Sequence, residues 1–84
     1  MNIKLKGNYV LTTDKTNNFV LQKEYYSEKH KEYRTKGETY YGSDIALALK
    51  SYINKYTLEY SEANSIKELQ NEIEDLKNYI EMLF

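Results

Sequence analysis

Two tyrosine pairs with basic residues around them form the part of this sequence with the most evident binding chemistry. Residues 25–41 begin with YY and end with YY, and the positions between are mostly charged or polar. An exposed tyrosine ring stacks on nucleobases or fills a pocket on a protein, and a neighbouring lysine or arginine binds phosphate or carboxylate groups. The candidate partner-binding residues are Tyr26, Tyr40, Arg34, Lys36, Lys4 and Lys6.

Three interpretations of these residues are open. The rings stack on bases while the cations hold phosphates, or they dock on a protein, or they are β-favouring residues on an ordinary solvent face. Glu24 and Glu38 are expected on the same face, and their negative charge opposes phosphate binding. Protein docking is therefore favoured over nucleic-acid binding.

Residue patterns for catalysis or metal binding are weak in this chain. His30 is the single histidine and lies in a charged, turn-like segment, there is no cysteine, and the three glycines are too far apart for a phosphate-binding loop. Acidic residues are numerous in the last third, but their spacing is typical of a solvated helix face. We predict a protein that is not an enzyme and that has no metal site and no cofactor.

The elements that position these residues begin with strands over residues 2–42. Apolar residues alternate with polar ones from position 3 to 12, the period of a half-buried strand, and further strands are expected over residues 19–26 and 32–41. This predicts a three-stranded antiparallel meander. The expected core positions are Ile3, Leu5, Tyr9, Leu11, Phe19, Leu21, Tyr25, Tyr33 and Tyr41. The expected outward positions are Lys4, Lys6, Val10, Val20, Gln22, Glu24, Tyr26, Arg34, Lys36, Glu38 and Tyr40.

Two helices follow the strands, which makes the predicted fold α+β. Ser43 or Asp44 is a suitable N-cap for a first helix over residues 43–60. Ser65 and Glu68 have the capping-box spacing, in which the serine side chain accepts from the Glu68 amide and the glutamate returns to the Ser65 amide. This predicts a second helix over residues 65–84.

The second helix carries a coiled-coil-like seam. Isoleucine and leucine alternate at spacings of three and four, a residue choice that favours a parallel dimer, and Glu72 would meet Lys77 of the other chain. The alternative is that the same stripe packs within the monomer. The predicted self-association residues are Ile66, Leu69, Ile73, Leu76, Ile80, Leu83, Glu72 and Lys77.

Composition limits the class of protein. The 84 residues predict one small domain over residues 1–84, and at this size oligomerisation is a common source of stability. Charge is nearly balanced overall, although residues 1–42 carry eight basic and five acidic side chains and residues 43–84 carry four and eight. The near-neutral balance argues against a generic polyanion binder. The lack of an apolar run or leader segment predicts a cytoplasmic protein with no membrane partner.

The order of segments resembles a group of small proteins encoded by phages and prophages of low-GC Gram-positive bacteria. The resembling segments are NYVLTTD, NFVLQ, KEYR, YYGSDIALALKSYI and EANSIKELQNEIEDLK, and they span most of the chain. The chain departs from that group at residues 34–38, where those proteins usually have a more apolar strand.

The resemblance implies a biological context. Small phage proteins of this kind often inhibit a host factor by stoichiometric binding, and one recurrent class inhibits bacterial immune machinery, including CRISPR effectors. The leading expectation is a phage-type, anti-CRISPR-like inhibitor that docks on a host defence protein in the bacterial cytoplasm. The alternatives are a nucleic-acid-binding or regulatory module and an oligomer that sequesters a nucleotide signal.

Overall fold

The computed structural model describes residues 1–83 as four strands followed by two helices. The elements are β1 (Asn2–Leu5), β2 (Tyr9–Thr13), β3 (Phe19–Ser27), β4 (Glu32–Tyr40), α1 (Ile45–Tyr60) and α2 (Ile66–Leu83). The strands form one antiparallel sheet in the order β1-β2-β3-β4. The α+β class, with strands first and two helices after them, is confirmed, and the predicted end of α2 at Phe84 lies outside the described residues.

The prediction of three strands is wrong because the first predicted strand is a hairpin. Leu5 pairs with Tyr9, so residues 6–8 form a tight turn, in which Gly7 and Asn8 have φ angles of 79° and 65°. A three-residue turn returns the chain with odd positions still on the same face of the sheet, so the alternation of apolar residues continues through it unbroken. The pattern therefore concealed the reversal.

The β2–β3 turn is held by one carboxylate. Asp14 Oδ1 accepts hydrogen bonds from the backbone amides of Thr16 and Asn18, both at 2.9 Å, and Asn17 adopts the left-handed conformation with φ 62°. The amide of Asn18 and the other donors of the turn hold the pKa of Asp14 below its ordinary value, although burial acts in the opposite direction. The sequence predicts a turn over residues 14–18, because aspartate and asparagine favour turns, and this prediction is confirmed.

The pairing of β3 with β4 contains a β-bulge. Leu21 pairs with Thr39 and Lys23 pairs with Lys36, so Gln22 alone faces two residues of β4, Gly37 and Glu38. Gly37 has a φ of 65°, the left-handed conformation that a bulge of this type requires. The extra residue reverses the face to which the first half of β4 points, relative to a regular ladder.

The chain divides into two compact units, Met1–Tyr52 and Ile53–Phe84. In the first unit Leu11, Leu21, Ala48 and Tyr52 are 0–1 % exposed. The Tyr52 hydroxyl donates to the Lys6 carbonyl at 3.0 Å, and the Tyr52 ring meets Tyr9 edge-on at 5.4 Å between centroids. The Tyr41 and Ser51 hydroxyls also share a hydrogen bond, so both Ser51 and Tyr52 attach the first half of α1 to the strands and their connections.

The expected inward and outward positions hold only in part. Leu5, Tyr9, Leu11 and Leu21 are buried as predicted, and Ile3, Phe19 and Tyr41 are half-buried. Val10 and Val20 were expected outward but are buried. Tyr25 and Tyr33 were expected in the core but are 39 % and 69 % exposed, which is a consequence of their position beyond the central pairs of strands.

Both helix starts match their sequence signals. Asp44 caps α1, since its Oδ1 accepts from the Leu47 amide at 3.0 Å. Ser65 Oγ accepts from the Glu68 amide at 3.2 Å, as the capping box predicts. The Glu68 carboxylate, however, accepts from the Asn64 amide at 2.6 Å, one residue before the expected donor.

The prediction of a single domain over residues 1–84 stays a prediction.

The bulge predicts a specific stability pattern at Gly37. A side chain at this position meets no atom within 4 Å, so any penalty comes from the left-handed backbone alone. Gly37→Val should lower the free energy of unfolding by about 1–2 kcal/mol in urea denaturation, since a β-branched residue tolerates positive φ poorly. Gly37→Asn is the matched control and should cost less. Equal stability of wild type and the valine variant would contradict the bulge.

Candidate functional site

The β3–β4 hairpin extends past the other two strands. Lys23 is the last β3 residue that pairs with β2, through Tyr9, and the amide of Glu24 donates to the Asn8 carbonyl at 2.6 Å. Beyond that point residues 25–34 form a two-stranded ribbon with a four-residue turn, which we call the arm. Its side chains are exposed except for the half-buried Ser27.

One face of the arm carries two tyrosine rings. Tyr26 pairs with Tyr33 across the strands, and residues that pair directly project from the same face of a sheet. Their rings meet edge-to-face with centroids 5.3 Å apart and planes at 68°, and the residues are 51 % and 69 % exposed. This geometry is a favourable one for aromatic pairs, so each ring holds the other in place while both contact solvent.

The opposite face of the arm combines one ring with charges. Tyr25 pairs with Arg34, and Lys36 Nζ lies 5.3 Å from the centre of the Tyr25 ring. Arg34 is held by Glu32, with Nη2–Oε1 at 2.9 Å and Nε–Oε1 at 3.0 Å. The cations on this face therefore already have partners within the chain.

The predicted six-residue patch is divided by the register. Tyr26 and Tyr40 are both exposed, as expected, but Tyr40 pairs with Val20, six residues from Tyr26 along β3, a separation of about 20 Å. Arg34 and Lys36 project from the face opposite Tyr26. The physical reason is the bulge at Gly37. Because of the bulge, odd-numbered residues of β3 pair with even-numbered residues in the first half of β4.

The remaining patch residues lie elsewhere on the first unit. Lys4 is exposed and its Nζ is 3.8 Å from the Glu24 carboxylate. Lys6 lies in the β1–β2 turn, where its carbonyl accepts from Tyr52. Tyr40 donates its hydroxyl to Glu38 at 2.9 Å, and this hydrogen bond raises the pKa of the Tyr40 phenol. The expected grouping of all six residues around two adjacent tyrosines does not occur.

Tyr25 and Tyr33 were expected in the core but belong to the exposed arm. The sequence contained one signal of the shifted register that exposes them. Gly37 inside a predicted strand was the available signal, because an isolated glycine there often marks a bulge. His30 lies in the exposed turn, and its amide donates to Ser27 Oγ at 3.4 Å.

The seam of α2 is buried only towards its C-terminal half. Leu76 and Ile80 are buried in the single chain, Leu69 and Ile73 are half-buried, and Ile66 is 72 % exposed. Glu72 accepts from Ser61 Oγ at 2.6 Å, so it has a partner within its own unit. Lys77 is exposed, and Leu83 is 41 % exposed. A seam that runs between subunits along its whole length is not supported.

A metal site and a membrane span would each leave a recognisable feature in residues 1–83. This part of the chain holds no group of three or more His, Asp or Glu residues that could bind a metal ion, and apart from tyrosines no polar or charged side chain in it is buried. Neither of its helices combines the length and apolar character needed to cross a membrane.

Because Tyr33 lies in the exposed arm and Tyr52 lies in the core, we expect the two tyrosines to contribute differently to stability. Tyr33→Ala should lower the free energy of unfolding by less than about 1 kcal/mol, the value of an exposed aromatic pair. Tyr52→Ala removes a ring that is 0 % exposed and should cost about 3–5 kcal/mol. Urea denaturation measures the loss of stability for both variants, and each variant replaces a tyrosine by alanine. A large loss for Tyr33→Ala would place that ring in a core and contradict the register.

Comparison with models of protein families, with curated protein sequences and with solved structures finds no match to this chain.

Proposed function

We propose that this protein acts by binding, without catalysis, and that it docks on a partner protein through the tyrosines of its arm. The observation that carries the proposal is the Tyr26–Tyr33 pair, two exposed rings in contact at 5.3 Å at the end of a hairpin. Tyrosine is enriched at the energetic centres of protein interfaces because one side chain supplies both apolar area and a hydrogen-bonding group.

The arrangement of the rings favours tight docking. A tyrosine side chain has few rotatable bonds, and the edge-to-face contact orders both rings before a partner arrives. Less conformational entropy is then lost on binding, so more of the contact energy contributes to affinity. The arm extends beyond β1 and β2, which leaves both of its faces accessible.

The contacts of Arg34 and Lys36 within the chain favour a protein partner over a nucleic acid. The guanidinium of Arg34 is engaged by Glu32 and the ammonium of Lys36 lies near the Tyr25 ring. Phosphate binding would have to compete with these contacts. The Tyr26–Tyr33 face carries Lys4 beside Glu24, a pair with no net charge.

The class of partner that we propose rests on the resemblance to phage-encoded proteins. On this proposal the partner is a bacterial defence protein, for which a CRISPR effector is the leading candidate, and binding in the cytoplasm inhibits it stoichiometrically. Self-association through α2 is a weaker part of the proposal. Only the exposed and half-buried seam residues Ile66, Leu69, Ile73 and Leu83 would contact a second copy without unfolding the chain.

Affinity capture with matched variants tests the docking site. The immobilised protein is incubated with a lysate of a low-GC Gram-positive bacterium that has CRISPR and other defence systems. Wild type and the control Tyr40→Ala should retain the same defence protein, and Tyr26→Ala/Tyr33→Ala should lose it. With the purified partner, calorimetry should give a dissociation constant at least about tenfold weaker for the double variant.

Ionic strength separates the two kinds of partner. Affinity for a tyrosine-centred protein interface should change little between low and high salt, whereas affinity for nucleic acid should fall steeply. Equal capture by wild type and the double variant would refute the arm as the docking site. Capture of nucleic acid alone, with a steep salt dependence, would refute a protein partner.

A further inference from the structure

The outer edge of β4 is open to a further strand. In the sheet formed by residues 1–83, β4 is the last strand, and its residues from Glu32 to Glu38 are all exposed. The edge of a sheet presents backbone amide and carbonyl groups that can pair with another extended chain. Proteins commonly prevent such pairing with like charges on the edge. Here the edge carries both signs instead, since Glu32 is negative and Arg34 and Lys36 are positive.

We propose that a second copy of this chain pairs with β4 along this edge, antiparallel, about a two-fold axis that passes through Tyr33. The inference concerns the strand edge and does not rest on the proposed docking of the tyrosine rings.

Symmetry limits the possible registers. A two-fold axis perpendicular to the sheet keeps each face of one copy on the same side as that face of the other copy. Residues that pair must therefore belong to the same face, and neighbouring residues of a strand belong to opposite faces. The axis must then pass between the two copies of one residue. The candidate positions on the arm side of the bulge are Glu32, Tyr33, Arg34, Thr35 and Lys36.

Charge selects one of these positions. With the axis at Tyr33, Glu32 of each copy lies opposite Arg34 of the other, which gives two attractive pairs. An axis at Glu32, Arg34 or Lys36 puts that residue opposite its own copy, and an axis at Thr35 puts Arg34 opposite Lys36. An axis at Arg34 also aligns Glu32 with Lys36, but it keeps two arginines directly opposed, so only the axis at Tyr33 gives attractive pairs with no like pair. Directly opposed like charges destabilise a sheet, and opposite charges stabilise it.

The structure within one copy fits this register. Glu32 and Arg34 lie on the same face of β4 and already contact each other at 2.9 Å, so two copies would form one network of four alternating charges. The opposite face would carry Tyr26 and Tyr33 of both copies as a continuous row of four rings. The bulge at Gly37 and Glu38 would end the pairing between the two copies at that point of β4.

Charge reversal tests the pairing directly. Sedimentation equilibrium should show a wild-type dimer, and Glu32→Arg or Arg34→Glu alone should each raise the dimer dissociation constant by about tenfold or more, since two attractive pairs become repulsive. The exchange Glu32→Arg/Arg34→Glu restores both pairs and should restore the dimer. An equimolar mixture of the two single variants should form a heterodimer, because every opposed pair in it is attractive.

Each other outcome overturns the inference. A wild-type monomer at all concentrations refutes the pairing, and a dimer that resists both single reversals but dissociates in Ile66→Lys/Leu69→Lys assigns association to α2. Failure of the exchange variant or of the mixture refutes the register at Tyr33. Circular dichroism confirms that each variant is folded. None of the charge variants removes Tyr26 or Tyr33, so capture of a partner protein is measured separately from dimer formation.

Discussion

A single extra residue in β4 determines which side chains the β3–β4 hairpin presents on each face. Gly37 and Glu38 lie opposite Gln22, and the left-handed conformation at Gly37 allows the ladder to resume one position out of phase. A regular ladder would have put Arg34 beside Tyr26. The bulge instead puts Tyr33 beside Tyr26, and Arg34 beside Tyr25 on the other face. The aromatic pair and the charged face are both consequences of this one backbone feature.

The same hairpin separates two uses of tyrosine. Where β3 is paired with β2, the chain builds a core, and Tyr9 and Tyr52 contribute rings to it at 7 % and 0 % exposure. Beyond Lys23, β3 no longer pairs with β2, and the rings of Tyr25, Tyr26 and Tyr33 are exposed. The core residues stabilise the sheet from which the arm extends. A rigid base and ordered rings are what a docking hairpin requires.

Sequence patterns predicted the elements well where the signals were local. The turn at Asp14, the cap at Asp44 and the Ser65–Glu68 contact depend on hydrogen bonds between residues close in the chain, and all three occur. The first hairpin was missed because a three-residue turn preserves the odd–even alternation through Gly7.

The candidate site was predicted less well, because it depends on register. Tyr26 and Tyr40 were expected outward and are exposed, yet their separation and the positions of Arg34 and Tyr33 follow from pairing between strands. Alternation within a strand identifies two faces, but it does not say how two strands align. Val10 and Val20 show a similar limit, since burial on the second face of a sheet depends on what packs there.

Nuclear Overhauser spectroscopy of the protein in solution measures the register most directly. The account predicts cross-strand contacts between the Tyr26 and Tyr33 rings and between the Tyr25 ring and the Arg34 side chain. It also predicts a contact between the backbones of Leu21 and Thr39 on the far side of the bulge. Contacts of Tyr26 with Arg34 in place of Tyr33 would show a ladder without the bulge and would contradict the account.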